Sequence, residues 1–284
     1  MSETVVEQVL TPESLAQKED RHRQRPRISD APAWVGGIVG LLALVIAWWI
    51  ISFLFFRQDQ SVPYPHRVAA GLVEALGQAS FWNAVAATVR PAAVGYLWGN
   101  LIAFGLAAIV LVVPRLEGTI SQIAVVSTCI PLTAIGPILA LMSGPGSHFA
   151  SVVLAALSVI FTSVIGIVLG LKAATPSQLD VIRVAGGGSL TELRKVRIIA
   201  GLPAILAALQ MAAPAAFLGS VLGEYFLLGV DTGLGIQLLA AQAHNQPVRL
   251  WVIGVACGAV AGSAFWAIGL ISKYITPWST GAKS

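Results

Sequence analysis

Charged side chains are scarce in this sequence. Of its 284 residues, 56% are hydrophobic and only 11% are charged, whereas a soluble domain usually carries about 25% charged residues. So few charges leave too little polar surface to face water on every side. The shortage excludes a soluble protein, and the mean hydropathy of +0.81 predicts an integral membrane protein.

Motifs that hold ATP or cleave bonds are also missing. Without a Gly-Lys dipeptide, the chain lacks the phosphate-binding loop Gly-x-x-x-x-Gly-Lys-Ser/Thr. His-Glu-x-x-His and Gly-x-Ser-x-Gly are absent, and the histidines lack metal-ligand spacing. Cys129 and Cys257 are typical of small apolar packing residues. We therefore expect a chain that is not an enzyme and needs no metal or cofactor.

Long apolar runs are what the sequence does contain. A helix needs about 20 mostly apolar residues to cross the hydrocarbon core, and six segments qualify. They are residues 33–56, 92–113, 119–142, 149–171, 198–228 and 250–271. The pattern predicts an all-α membrane protein with six transmembrane helices. The first four segments contain no Asp or Glu, which is unusual for a carrier driven by protons or ions.

Lysine and arginine predict the orientation. Most of the 17 basic residues fall before the first span, in the segment 172–197 or near the C-terminus. Six crossings place all three regions on one side, so both termini are predicted to be cytoplasmic. A basic rim that faces anionic lipid explains the net charge of +4 without nucleic acid. We expect residues 1–30 to form a disordered polar tail and residues 31–279 to form the transmembrane domain.

Between the fourth and fifth predicted spans lies a charged segment that contains three consecutive glycines, residues 172–197. Residues 178–185 can form two helical turns, and the glycines from Gly186 to Gly188 permit a bend with positive φ. Ser189 or Thr191 is then expected to cap a second helix over 191–199, with Glu192 near its positive end. By these features alone the segment is either a docking element for another protein or an ordinary amphipathic loop.

This segment resembles the cytoplasmic signature of permease subunits of bacterial ABC importers, Glu-Ala-Ala-x-x-x-Gly followed by Leu-Pro. The matching residues are Asp180 for the Glu, Val181 and Ile182 for the alanines, Gly186 for the Gly, Arg194 and Lys195 for a common basic pair, and Leu202-Pro203. Asp180, Val181 and Ile182 differ from the Glu-Ala-Ala of the pattern. A groove on a partner protein that is shaped for two alanines would clash with the larger side chains of Val181 and Ile182. Further on, Glu224 and the run Thr232-Gly233-Leu234-Gly235 resemble the end of the fifth helix and an outer turn of these permeases. The similarity extends over residues 61–278 and is strongest to the branch that imports nitrate, sulfonates and taurine.

The resemblance implies a type I importer permease in the bacterial inner membrane. Its partners would be a second permease subunit, identical or related, a cytoplasmic ATPase dimer, an extracytoplasmic solute-binding protein and membrane lipid. Contact with the ATPase is expected from Asp180, Arg183, Gly186, Gly187, Glu192, Arg194 and Lys195. The solute would be small, such as a sulfonate, taurine or a nitrate-like anion.

A second set of residues is expected along the translocation path or at its outer gate. Proline inside a membrane helix frees backbone carbonyls, which is tolerated where a neighbour or a wet cavity satisfies them. This suggests a path at the third span, and the resemblance adds the outer end of the fifth. The candidates are Pro131, Pro137, Glu224, Asp231, Gly233 and Gly235.

The alternative is a stand-alone carrier or channel. In that case the segment 172–197 would be only a linker, and no ATPase would be required. Association with an ATPase distinguishes the two functions.

Overall fold

The computed structural model describes residues 33–57, 61–128, 131–226 and 230–279. The predicted tail, residues 1–30, and Cys129 lie outside the described residues. The chain divides into two units, residues 1–59 and 60–284. In the first unit, helix α1 spans Ala33–Phe55 and is apolar along its whole length.

The second unit consists of helices joined by short connections. Its helices are α2 (Pro65–Leu76), α3 (Ala79–Val112), α4 (Glu117–Thr128), α5 (Leu132–Met142), α6 (Phe149–Leu171), α7 (Pro176–Val184), α8 (Ser189–Glu192), α9 (Ile198–Glu224), α10 (Leu234–Ala243) and α11 (Pro247–Ile275). Short 3₁₀ turns lie at Pro114–Leu116 and Pro277–Ser279. The prediction of an all-α membrane fold is confirmed.

Five stretches of the described chain are long and apolar enough to cross a membrane. They are α1, α3, α6, the continuous stretch from α8 through α9, and α11. Helix α6 has the bounds predicted for the fourth span, 149–171. Helix α3 begins at Ala79, before the predicted start of the second span at residue 92. Its first turns are more polar than the rest of the helix, so the prediction from apolar runs did not include them.

The third predicted span, 119–142, is not one continuous helix. The structure has two shorter helices here, α4 and α5, and Pro131 stands immediately before α5. Proline cannot donate an intrahelical hydrogen bond and clashes with the preceding turn, which explains why α5 begins after it. Neither piece alone has the length of a membrane span, so the count of six crossings stays a prediction.

Helix α6 packs extensively against both α3 and α9 and forms the centre of the second unit. Glycines allow these close approaches: a Cβ on Gly95 or Gly99 of α3 would meet α6 backbone atoms at 2.7 Å. From α9, a Cβ on Gly219 would lie 2.6 Å from the carbonyl oxygen of Leu154. Small residues that let membrane helices approach closely are a common packing device. By contrast, nothing lies within 4 Å of a Cβ built on Gly258 of α11.

The segment 172–197 forms the predicted helix, bend and second helix. Helix α7 starts at Pro176, and the Gln178 side chain accepts a hydrogen bond from the Thr175 N–H at 3.0 Å. Gly186 has a φ of +76°, which turns the chain before α8. The predicted cap at Ser189 or Thr191 is wrong: α8 begins one residue after Gly188, and no side chain caps it. The chain continues from α8 through a π-helical turn, Leu193–Arg197, into α9.

Candidate functional site

The end of α9 carries a buried carboxylate. The Glu224 side chain is 1% exposed, and its Oε2 atom accepts a hydrogen bond from the backbone N–H of Gly235 at 2.6 Å. Gly235 lies in the first turn of α10, where N–H groups have no intrahelical partner. Glu224 therefore fixes the start of α10 against the end of α9.

Thr88 of α3 supports the same junction. Its Oγ1 accepts a hydrogen bond from the backbone N–H of Leu234 at 2.9 Å and donates one to the Ala84 carbonyl oxygen at 3.1 Å. Ser220 of α9 donates to the Thr88 carbonyl oxygen at 2.9 Å. We call Thr88, Ser220, Glu224, Leu234 and Gly235 the Glu224 network. It joins three helices by hydrogen bonds in a buried position.

Glycine is required where the turn before α10 meets Glu224. A Cβ on Gly233, whose φ is +159°, would lie 2.5 Å from the Glu224 carboxylate. A Cβ on Gly235 would lie 2.5 Å from the Val221 carbonyl oxygen. The two glycines thus let the turn lie directly on the C-terminal end of α9.

The sequence-based candidates at this end of the molecule divide into buried and exposed residues. The Glu224 side chain is buried in this chain and is therefore not accessible to a binding protein, whereas Asp231 is exposed. Pro131 and Pro137 are exposed too, Pro137 within α5. Thr88 and Ser220 were missed by sequence reasoning. An isolated Ser or Thr in a membrane helix gives no signal of a partner 132 or 146 residues away.

At the segment 172–197, an ion-pair cluster holds α7 to α8. The Arg183 Nε donates to Glu192 Oε1 at 2.8 Å, and its Nη1 lies 3.3 Å from Asp180 Oδ1. Arg197 lies 3.9 Å from the other oxygen of Glu192. The hydrogen bond with Glu192, followed by its charge, raises the pKa of Arg183. Three predicted coupling residues, Asp180, Arg183 and Glu192, are thus engaged with one another.

Several exposed side chains of this segment are apolar or basic. Val184 is 90% exposed, and Val181 and Leu190 are also exposed. Arg194 and Lys195 are exposed, and in the described parts of the chain neither forms an ion pair. We call these exposed residues, Val181, Val184, Leu190, Arg194 and Lys195, the α7–α8 face, although Arg194 and Lys195 belong to the π-helical turn that follows α8. At Gly187, a Cβ would meet the Ile182 carbonyl oxygen at 3.0 Å.

A family model decides the classification. The model of the inner membrane component of binding-protein-dependent transport systems matches residues 99–279. The chain belongs to this family. The family is that of ABC transporter permeases, so the resemblance inferred from the sequence is confirmed, and the permease is a membrane transport subunit.

Curated relatives cover most of the permease. A probable ABC transporter permease protein of Haemophilus influenzae is 28% identical over 74% of this chain and 82% of its own length. A formylaminopyrimidine transport permease protein of Halalkalibacterium halodurans is 25% identical over 69% and 76%. A putative aliphatic sulfonates transport permease protein of Bacillus subtilis is 22% identical over 81% and 82%. The names of the second and third relatives state different solutes.

Proposed function

We propose that this permease forms half of the solute pathway of an ATP-driven importer and receives force from a separate ATPase through residues 172–197. A second permease subunit, identical or related, would complete the pathway. An extracytoplasmic binding protein would deliver a small solute, such as a sulfonate, taurine or a nitrate-like anion. Both termini would lie in the cytoplasm of a bacterial cell, with the chain in its inner membrane.

The α7–α8 face is the observation that carries this proposal. A valine that is 90% exposed, close in sequence to basic residues without ion-pair partners in the described chain, is suited to a partner's groove. Helical docking buries an apolar face in such a groove, and peripheral charges orient it. Among the predicted charged contacts, Arg194 and Lys195 fit this role better than Arg183, which is paired within the segment.

The internal ion pairs support a second part of the proposal, the transmission of force. Glu192 binds Arg183 of α7 and lies close to Arg197, which immediately precedes α9. A displacement of α7 would therefore move α9 as well, because the two are connected by ion pairs and not only by a flexible loop. The π-helical turn Leu193–Arg197 lies at this junction, and such turns are frequent at functional sites. Helix α9 in turn ends in the Glu224 network, so movement at one end of α9 would strain the junction at the other.

Val184→Asp tests the docking surface. We expect the variant to fold and to lose co-purification with its ATPase, because a buried unpaired carboxylate at an apolar interface costs several kcal/mol. Val73→Asp is the matched control: Val73 is 72% exposed, lies on α2 outside residues 172–197, and should leave co-purification unchanged. Full retention of the ATPase by Val184→Asp would contradict the proposal.

A further inference from the structure

Gln210 places a polar amide in the middle of a membrane helix. From Ile198 to Gly219 it is the one polar side chain of α9. At a rise of 1.5 Å per residue, it lies about 18 Å from the start of α9 and about 21 Å from its end. Half of a hydrocarbon core is about 15 Å thick. The amide is therefore deep in the core and out of reach of the lipid headgroups.

The Gln210 amide has no hydrogen-bond partner among the residues that the structure describes. It lies against α11 at Gly269, where a Cβ would be 2.5 Å from the Nε2 atom, and glycine offers no side chain to bind it. The Gln210 side chain is half-buried, so part of it faces whatever adjoins this chain. A polar group without a partner is strongly unfavourable in hydrocarbon.

Pro214 adds a second group without its usual partner at the same position. Proline has no N–H to donate to the carbonyl oxygen four residues earlier, which is that of Gln210. A carbonyl freed in this way is tolerated in a membrane helix where a neighbour or a wet cavity satisfies it. Gln210 therefore offers acceptors on its backbone and side chain and donors on its side chain, all at one depth.

Lipid, a water-filled path and another protein are the three surroundings to consider for this part of α9. Lipid tails offer no hydrogen bonds. The exposed residues nearest to Gln210 on α9, Ala207 and Met211, are apolar, which suits a helix contact better than a path for water. Glutamine side chains that bind across helices are a known means of association in membranes. These observations favour another protein.

We propose that the Gln210 residues of two copies of this permease bind each other across a twofold axis in the middle of the membrane. An amide carries both donors and acceptors, so Gln210 of one copy satisfies Gln210 of the other. In a twofold contact each subunit presents the same surface. The inference rests on the proposed function, which needs a second subunit that is identical or related, and it assigns an identical one together with its point of contact.

Cross-linking in the membrane tests the contact. Gln210→Cys is made in the full-length permease with Cys129 and Cys257 replaced by serine, and membranes are treated with a short bismaleimide. We expect a covalent dimer. Leu101→Cys in the same background is the matched control, because Leu101 is 60% exposed in the apolar part of α3 and should give no dimer. Absence of the dimer from Gln210→Cys, or an equal yield from the control, would refute the contact.

The same Gln210→Cys variant distinguishes a protein contact from a wet path. A charged methanethiosulfonate reagent modifies thiols that water reaches. We expect the thiol at position 210 to resist this reagent in membranes and to react after the protein is unfolded in sodium dodecyl sulfate. Rapid reaction in membranes would show that water reaches Gln210 and would overturn the proposal.

The affinity between copies measures the contribution of the amide. Full-length permease labelled with donor or acceptor fluorophores is diluted with lipid in liposomes, and energy transfer reports the dimer. Gln210→Leu should raise the apparent dissociation constant about tenfold, because hydrogen bonds are lost on both subunits. Met211→Leu, a change between apolar side chains of similar size beside Gln210, should stay within about twofold. An unchanged constant in Gln210→Leu would contradict the proposed contact.

Two copies with different affinity tags, expressed together with the ATPase, separate this inference from the proposed function. Purification through one tag should recover the other copy and the ATPase. Recovery of the ATPase without the other copy would mean that the second subunit is a related chain, so this inference would be wrong and the importer function would stand. Recovery of the other copy without the ATPase would count against the proposed function and support the contact between copies.

Discussion

At the scale of single residues, the same side-chain types serve different purposes in this permease. Glu224 and Glu192 both stand at the end of a helix, and both are buried. Glu224 binds a backbone N–H of α10, so it fixes a helix start. Glu192 binds Arg183 of α7, so it joins two short helices. Their chemistry is identical, and only the groups around them separate the two roles.

Replacing Glu224 tests the first of these roles. Glu224→Ala removes the acceptor of the Gly235 N–H and leaves that donor buried, so we expect a loss of about 2–3 kcal/mol in stability. Glu224→Gln keeps an acceptor oxygen and should lose less. Thermal unfolding of the purified permease in detergent measures both.

Glu74→Ala is the control for this experiment, because Glu74 is an exposed carboxylate on α2. Its effect should stay within about 0.5 kcal/mol. If Glu224→Ala unfolds at the same temperature as the unmodified protein, the network does not hold α10 in place.

At the scale of helices, packing depends on where glycine removes a side chain. Gly95 and Gly99 bring α3 onto α6, and Gly219 brings α9 onto α6. The same four-residue spacing occurs on α11 at Gly254, Gly258 and Gly262, where a Cβ would meet nothing within 4 Å. Identical spacing in the sequence thus corresponds to close helix contact in one case and open space in the other.

This difference can be measured. In Gly99→Ala, the new Cβ would lie 2.7 Å from the carbonyl oxygen of Ala156 and from the Cβ of Val159, so α3 and α6 must separate. Overpacking of this kind costs about 1–3 kcal/mol, and the midpoint of thermal unfolding should fall. Gly258→Ala, the matched control, should unfold like the unmodified permease. Equal midpoints for the two variants would show that the α3–α6 contact is not close in solution.

At the scale of the whole molecule, a continuous route joins the two predicted faces of the membrane. It begins at the α7–α8 face, passes through the Glu192 ion pairs and α9, and ends at the Glu224 network. The sequence has no phosphate-binding loop of the Gly-x-x-x-x-Gly-Lys-Ser/Thr type. The proposed import therefore depends on energy from another protein.

Reconstitution into liposomes tests this dependence. The permease alone should move no solute, and addition of the ATPase, the binding protein and ATP should produce uptake. Liposomes with the ATPase but without ATP are the control for passive leakage. Uptake by the permease alone would support the stand-alone carrier or channel instead.

The sequence by itself determined the membrane class, most of the apolar helices and the bend at Gly186. These features depend on local causes: hydrocarbon burial requires an apolar run, and hydrogen bonds within each helix close over a few residues. The match of α6 to the predicted span 149–171 is an example. The division at Pro131 followed a local cause as well, although the hydropathy of the run concealed it.

Only the tertiary structure decided the partners of the polar side chains. Thr88 meets Leu234 across 146 residues of sequence, and nothing near either residue indicates the other. The same holds for the choice between packed and open glycines. Such contacts depend on how the helices cross. Their crossing follows from side-chain packing between distant segments and not from the local rules that form each helix.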